Sequence, residues 1–194
     1  MPLNSWKALG TGEILGFLRA DLKKAKTSVW VVGPWIDFFF AEFVIDTLDR
    51  AAELRVLTRP PSGASASFSE HAVAARTCFE SRPNTFVKLL TGLHAKVVII
   101  DEATAYCGSA NWYRYSLEES REIVLRGPVS SASGLLDEVQ VIWDQATSEL
   151  LNKEKIKTSA ISHGYTMEVI DPVAAAKLKE VPGSFVINPT PRRR

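Results

Sequence analysis

Segments with strand character alternate with segments of helical periodicity along most of this 194-residue chain. The helical segments repeat apolar residues every three or four positions, whereas the strand segments are short runs rich in β-branched and aromatic residues. Predicted helices cover residues 11–25, 38–50, 68–80 and 134–151, the first with Thr11 as its N-cap, and predicted strands cover 28–33, 54–58, 85–90, 94–100 and 122–126. This alternation predicts a layered α/β fold with a sheet covered on both faces.

The composition narrows the class of protein. The length suits one well-buried domain and is too short for two full-sized ones. Hydrophobic residues make up 46% and charged residues 23%, which is ordinary for a soluble globular chain. The formal net charge of +1 gives no attraction of the whole molecule for nucleic acid, so any basic surface must be local. Because neither a signal pattern nor a membrane-length apolar run occurs, we expect a cytoplasmic protein without stable membrane association.

The most specific motif combines an imidazole, a cation and small polar side chains at fixed spacing within LHAKVVIIDEATAYCGSANW, residues 93–112. The motif positions are His94, Lys96, Asp101, Gly108, Ser109 and Asn111. A neutral imidazole can attack phosphorus, and an ammonium can hold the charge that develops on the phosphate oxygens. A spacing of two places His94 and Lys96 on one face of an extended segment, and the same holds for Ser109 and Asn111.

This pattern resembles the HKD signature of the phospholipase D superfamily, with every motif position filled. The resemblance implies an α-β-α sandwich with a central mixed β-sheet, which we assign to residues 1–152. Residues 153–194 are then a C-terminal extension of unknown role. The site that we expect has His94 as the nucleophile, Lys96, Ser109 and Asn111 as ligands of the phosphate oxygens, and Asp101 and Gly108 as structural support.

A nucleophilic histidine also needs an acceptor for its other ring nitrogen. Glu122 is our candidate, because the resembling families carry a glutamate at the head of the following strand that contacts the histidine; the alternative is a solvated strand-end carboxylate. Cleavage further needs a second group that protonates the leaving oxygen. In one-motif relatives a homodimer supplies it by joining two copies of the histidine, whereas His71 and His163 lie outside any motif.

Neither a metal nor another cofactor is expected, because acidic clusters with metal-ligand spacing are missing and Cys78 and Cys107 resemble buried thiols. Four side chains are candidates for a substrate groove, since aromatic rings interleaved with cations suit single-stranded nucleic acid. They are Trp35, Arg59, Trp112 and Arg114. The alternatives are an apolar plug at Trp35 and, after Asn111, a loop packed against a dimer partner.

The sequence therefore favours a homodimeric, metal-independent phosphodiesterase, an endonuclease-like hydrolase of DNA or RNA that acts through a phosphohistidine. One rival is a phospholipid hydrolase or transphosphatidylase, for which residues 38–43 (FFFAEF) would have to form an apolar rim at the bilayer. The other rival is a noncatalytic nucleic-acid-binding module that retains the motif only to bind phosphate.

Overall fold

The computed structural model describes residues 5–60, 66–132 and 134–147. In chain order the strands are β1 (Lys7–Gly10), β2 (Ser28–Val32), β3 (Glu53–Thr58), β4 (Thr85–Leu89), β5 (Val97–Ile100), β6 (Thr104–Gly108) and β7 (Ile123–Pro128). The helices are α1 (Ile14–Leu22), α2 (Phe38–Thr47), α3 (Ala66–Glu80), α4 (Arg114–Glu118) and α5 (Leu135–Asp144), with a 3-10 turn at Val129–Ser131.

The strands pair into one mixed sheet in the order β1-β7-β6-β5-β2-β3-β4. Strands β2, β3 and β4 are parallel, as expected for strands joined by crossover helices, and the other pairings are antiparallel. Since β5 runs against β2, Val97 at its start pairs with Val32 at the end of β2. We call this edge of the sheet, which holds the ends of β2, β3 and β6 and the starts of β5 and β7, the motif edge.

The two faces of the sheet are covered to different extents. Helices α1, α2 and α3 bury one face, where core side chains such as Leu18, Phe40 and Phe79 pack against the strands. On the other face α5 packs Val139 and Trp143 over the middle of the sheet. These layers confirm the predicted α/β sandwich with a mixed sheet.

An apolar surface is left uncovered on the α5 face, beside the motif edge. Strand β7 alternates in burial, so Val124 is fully buried while Ile123 is 64% exposed and Leu125 is 43% exposed. Cys107 of β6 lies directly opposite Leu125 in the ladder, is half-buried and belongs to this face. We call the surface formed by Ile123, Leu125 and Cys107 the β7 face.

Several predicted boundaries were wrong because tertiary contacts compete with local propensity. The helix predicted at 134–151 ends at Asp144. Three residues later, Thr147 exchanges two backbone hydrogen bonds with Leu89 of β4. Thr11 does not cap α1, whose N-cap residue is Glu13. Strand β1 and helix α4 were not predicted at all, and residues 105–109 (AYCGS), which hold most of β6, were predicted only as the segment after a turn at 101–104. The proposed extension, residues 153–194, lies outside the described residues, so the domain boundary stays a prediction.

Candidate active site

His94 lies at the surface in the segment just before β5, at the motif edge. The strand predicted to start at this residue begins three positions later, at Val97. Among the described residues the His94 imidazole has no hydrogen-bond or ion-pair partner. An exposed imidazole with both nitrogens available can act as a nucleophile or exchange a proton.

Lys96 is half-buried, and its ammonium donates a hydrogen bond to the backbone carbonyl of His94 at 3.1 Å. Burial is the main cause that lowers the pKa of Lys96 below its usual range; the negative charge of Glu122 opposes this effect, and the positive charge of Arg59 adds to it. The motif edge therefore brings Lys96 near both Glu122 and Arg59. Two cations in this region create a local positive field in a chain of nearly neutral charge.

Glu122 immediately precedes β7, and serine hydroxyls satisfy both of its carboxylate oxygens. Ser109 donates to Oε2, and Ser116 donates to Oε1 at 2.6 Å. The backbone N–H of Glu122 donates to the Thr11 hydroxyl at 2.9 Å. The expected bond between Glu122 and His94 is not made within the described part of the chain, because both carboxylate oxygens face these serines.

The Ser109 hydroxyl is also fully engaged. Its proton goes to Glu122, and its oxygen accepts the backbone N–H of Ile123 at 3.2 Å. In this arrangement Ser109 has no proton left for a phosphate oxygen, contrary to the role expected from the sequence. Its contacts instead tie the start of β7 to the end of β6.

Asn111 keeps free capacity for hydrogen bonding. Its backbone N–H donates to the Ser116 hydroxyl at 3.1 Å, which links Asn111 to Glu122 through one fully buried serine. Its side-chain Oδ1 is buried and has no partner within the described residues. Burial and the charge of Glu122 raise the pKa of the neighbouring Tyr113 hydroxyl, while hydrogen bonds with Asn111 and Ser116 oppose the rise.

Asp101 lies at the opposite end of β5 from His94. Its carboxylate accepts the backbone N–H groups of Lys26, Thr27 and Ser28 and the Thr27 hydroxyl, at 2.8–3.1 Å. Burial acts to raise its pKa, but these hydrogen bonds outweigh burial and lower it. Asp101 has a positive φ of 52°, a conformation that aspartate tolerates better than most residues. It joins the start of β2 to the end of β5.

Gly108 is required by close packing at the motif edge. A Cβ added there would lie 2.8 Å from the Cα of Val124 and closer still to the carbonyl oxygen of Ile123. Because these are backbone atoms of β7, they cannot move aside as a flexible side chain would. The glycine lets β6 and β7 approach closely where Ser109 and Glu122 meet.

Trp112 was predicted to line a substrate groove, and this prediction was wrong. Its side chain is 0% exposed, its indole N–H donates to the Val32 carbonyl at 2.7 Å, and its ring stacks on Phe40 with centroids 5.3 Å apart. A Cβ on Gly33 would lie 2.9 Å from the indole nitrogen. A ring held on all sides in this way belongs to the core and cannot stack on a ligand.

The other three groove candidates lie nearer the surface. Trp35 and Arg59 are half-buried, and the Arg59 guanidinium lies 5.5 Å from the centre of the Trp35 ring. The exposed Arg114 pairs with Glu118 at 2.8 Å, and its backbone N–H donates to Asp37 at 2.9 Å. Burial raises the pKa of Asp37, which also caps α2, although its hydrogen bonds and the charge of His71 oppose the rise.

Comparison with known proteins identifies the family. A family model described as "Cardiolipin synthase, PLD-like domain" matches residues 18–143, which is well over half of the chain. The chain belongs to this PLD-like family. The predicted relationship to the phospholipase D superfamily is thereby confirmed. A search of curated proteins gave no match.

Solved structures share the fold of this PLD-like chain at low sequence identity. NucT from Helicobacter pylori is 19% identical with a TM-score of 0.61, over 75% of this chain and all of NucT. The phospholipase D family member Nuc from Salmonella typhimurium is 16% identical with a TM-score of 0.62, over 76% of this chain and 99% of Nuc. Phosphatidylserine synthase from Haemophilus influenzae is 13% identical with a TM-score of 0.54, over 80% of this chain and 44% of the synthase.

Two further properties concern the described part of this PLD-like chain. It contains no group of three histidine, cysteine, aspartate or glutamate side chains placed to hold a metal ion. None of its helices combines the length and the apolar character needed to cross a bilayer.

Sequence reasoning missed two hydroxyls that organise this PLD-like site. Ser116 lies in the unpredicted helix α4, and Thr11 was assigned to a helix cap. The Thr11 hydroxyl donates to the Ser120 carbonyl and accepts from the Glu122 N–H, so it fixes the chain that leads into β7. Serine and threonine in loops are too common for their spacing alone to reveal such contacts.

Proposed function

We propose that this chain is a phosphodiesterase that hydrolyses nucleic acid without a metal, with His94 as the nucleophile. One observation carries the proposal: an exposed imidazole that has no partner among the described residues lies next to the half-buried ammonium of Lys96, which donates to the His94 backbone carbonyl at 3.1 Å. Partial burial disfavours the charged form of Lys96, and an anionic ligand would offset this effect. A phosphodiester fits, because it offers anionic oxygens to the Lys96 ammonium and to the side-chain amide N–H groups of Asn111, and a phosphorus atom to His94.

In the first step an unprotonated His94 nitrogen forms a bond to phosphorus, and the bond from phosphorus to the leaving oxygen breaks. The leaving oxygen carries away that electron pair and takes a proton from a second acid. Water then attacks the phosphohistidine, gives a proton back to that group, and releases His94 and a phosphate monoester. Lys96 stabilises the negative charge on the non-bridging oxygens in both transition states.

Glu122 and the two serines bonded to it support this reaction by positioning other side chains. The carboxylate lies close enough to Lys96 to favour the charged ammonium, and Ser116 ties it to the Asn111 backbone. We assign Glu122, Ser109 and Ser116 to the orientation of Lys96 and Asn111. Gly108 permits the close strand approach on which this arrangement depends.

The second acid in this proposal is His94 of a second copy of the chain. The β7 face supports it, because exposed apolar residues there directly follow Glu122, and burial between two copies would remove them from water. A two-fold axis near this face would bring the two motif edges together and form an isologous dimer. The homodimer and the cytoplasmic location stay predictions.

The lipid-hydrolase alternative receives less support from the structure. In the FFFAEF segment, Phe40 and Phe43 are buried in the core, and Arg114 covers the ring of Phe39 at 5.4 Å. Only Phe38, at 43% exposure, offers an apolar surface in this segment. One exposed ring is little for a bilayer-binding rim. The other rival, a noncatalytic nucleic-acid-binding module, would bind nucleic acid without cleaving it, so an assay for cleavage distinguishes it from the proposed enzyme.

The test incubates the wild-type chain and His94→Ala with labelled single- and double-stranded DNA and RNA in excess EDTA, and resolves the products on denaturing gels. Phosphatidylcholine vesicles and the small diester bis-p-nitrophenyl phosphate are parallel substrates. We expect the wild type alone to cleave nucleic acid and the small diester. A folded wild type that cleaves none of them would refute the phosphodiesterase, and cleavage of lipid alone would favour the rival enzyme.

The dimer has its own test. Leu125→Asp places a charge in the middle of the β7 face, and the matched control Val141→Asp changes another exposed apolar residue, on α5. We expect Leu125→Asp to be monomeric in sedimentation and inactive, and Val141→Asp to keep both properties. An active Leu125→Asp monomer would show that the second acid lies in the same chain.

A further inference from the structure

Arg59 differs from the other partly buried arginines of the described residues in its partners. Three of these arginines pair with carboxylates, namely Arg55 with Glu53, Arg76 with Glu80 and Arg126 with Asp21. Arg82 has a buried Nε without a partner among the described residues, but its other guanidinium nitrogens donate to three backbone carbonyls. The guanidinium of Arg59 instead rests against the Trp35 ring, and its Nε is buried without a hydrogen-bond partner in the described part of the chain.

The sheet places this arginine beside the reacting groups. Arg59 directly follows β3 and Trp35 follows β2, while Lys96 precedes β5, which is antiparallel to β2. All three therefore meet at the motif edge, with β2 between Lys96 and Arg59. Adjacent strands lie about 4.8 Å apart, so the two backbones are separated by about 10 Å. Burial is the main cause that lowers the pKa of Lys96, and the charge of Arg59 adds to it, as expected for two cations at the same edge of the sheet.

We propose that Arg59 binds a phosphate neighbouring the scissile phosphate, so that the site selects chains of successive phosphodiesters over molecules with a single one. The cation–π contact with Trp35 holds the guanidinium fork in place, which reduces the entropy lost when it binds an anion. A separation of two strands favours separate phosphates for Arg59 and Lys96. This inference rests on the proposed function and adds to it a second phosphate-binding residue, which would make the site prefer a polyanionic chain to a single phosphodiester.

The experiment compares two substrates in each variant. An oligonucleotide has neighbouring phosphates, whereas bis-p-nitrophenyl phosphate has only one. We expect Arg59→Ala to lower kcat/KM for the oligonucleotide by about 10- to 100-fold, the range for one charge-assisted hydrogen bond, and to leave the small diester within about twofold. Arg59→Lys, which keeps the charge without the planar fork, should fall between Arg59→Ala and wild type.

The matched control is Arg55→Ala. The Arg55 guanidinium also lies over a tryptophan ring, 4.5 Å from the centroid of Trp30, but it is paired with Glu53. We expect Arg55→Ala to have the wild-type kcat/KM for both substrates. Thermal unfolding of each variant checks that it is folded, and Arg59→Lys keeps the comparison valid if Arg59→Ala does not fold.

A binding measurement gives a second readout. In a His94→Ala background, which prevents turnover, the slope of log K against log salt for a single-stranded oligonucleotide should decrease by about 0.7 when Arg59 is replaced by alanine. An equal loss of activity on both substrates would overturn the proposal by placing Arg59 on the scissile phosphate. No loss on either substrate would overturn it as well. Failure of the proposed function itself would appear separately, as no turnover of either substrate by the wild type.

Discussion

The polar side chains at the two ends of β5 differ in how many hydrogen-bond partners they have. At one end the Asp101 carboxylate accepts hydrogen bonds from three backbone N–H groups and one hydroxyl. At the other end, before Val97, the His94 imidazole has no partner among the described residues and the Lys96 ammonium is half-buried. Only four strand residues separate the two ends, so both belong to the same rigid element.

If the proposed function is correct, this difference separates a structural site from a functional one. Hydrogen bonds to Asp101 favour its charged form, and its pKa is lowered in consequence. Burial of Lys96 disfavours its charged form, and its pKa is lowered for that opposite reason. The charge of Asp101 therefore stabilises the fold, while burial of the Lys96 charge opposes folding and leaves an ammonium ready to bind an anion.

The largest effect is expected for Lys96→Met, which keeps the length of the side chain and removes its charge. Activity on oligonucleotides should fall by about 10²- to 10³-fold, because a group that stabilises transition-state charge is lost. The free energy of unfolding should equal or exceed that of the wild type, since a partly buried charge is removed. Kinetic assays and urea unfolding at a fixed protein concentration check both values. A large loss of stability would contradict the functional assignment of this end.

A smaller effect is expected for Ser116→Ala, which removes the hydroxyl that joins Asn111 to Glu122. Misplacement of groups around the phosphate should lower kcat by up to about 10²-fold with little change in KM. The control is Ser131→Ala, because the Ser131 hydroxyl also has two hydrogen bonds, to Trp6 and Pro128, but lies outside the site. Equal kinetic losses in the two variants would show that Ser116 has no special role.

At the other end of β5, Asp101→Ala should lower stability by about 2–3 kcal/mol through lost capping hydrogen bonds and the strain of alanine at positive φ. Asparagine tolerates a positive φ, so Asp101→Asn should lower the free energy of unfolding by only about 1 kcal/mol. Both variants should keep wild-type activity per folded molecule. Urea unfolding and assays at matched folded concentration check this, and a large loss of kcat in Asp101→Asn would contradict a purely structural role.

Comparison of the wild type with Asp101→Asn also tests how stability depends on pH. The pKa of Asp101 is lower in the folded state than its unfolded value of about 3.9. Its stabilisation is thus fully present above about pH 4 and is lost as the pH falls through the folded-state pKa. The stability gap between wild type and Asp101→Asn should stay constant from about pH 5 to 8 and narrow below about pH 4. A gap independent of pH would mean that the charge of Asp101 does not matter.

Periodicity and motif spacing predicted the layered fold and the motif edge, because these depend on which residues are apolar and on a short local segment. They did not predict the partners of Glu122, which come from Thr11, Ser109 and Ser116, positions brought together only by the pairing of β6, β7 and β1. The serine and threonine side chains at these positions give no periodic signal in the sequence.

Trp112 shows a second limit of sequence reasoning. An aromatic residue between Asn111 and Arg114 looks like part of a binding groove, yet its ring fills the space beside Gly33 and bonds the end of β2. A tryptophan can stack on a ligand or fill a core equally well. The position of β2 relative to this loop decides whether the ring fills the core or faces a ligand. No local sequence pattern reveals that position.

The smallest effect is expected for Thr27→Val, which removes a single hydroxyl bond to Asp101 while the shape of the side chain and the backbone N–H bonds persist. One hydrogen bond to a carboxylate at a partly exposed site should contribute about 1 kcal/mol, seen as a shift of the urea midpoint without a change in slope. In the Asp101→Asn background the same substitution should have a smaller effect, because a neutral amide accepts the bond more weakly. If the two losses simply add, Thr27 and Asp101 stabilise the fold independently, and the cluster of hydrogen bonds at this end of β5 does not act as a unit.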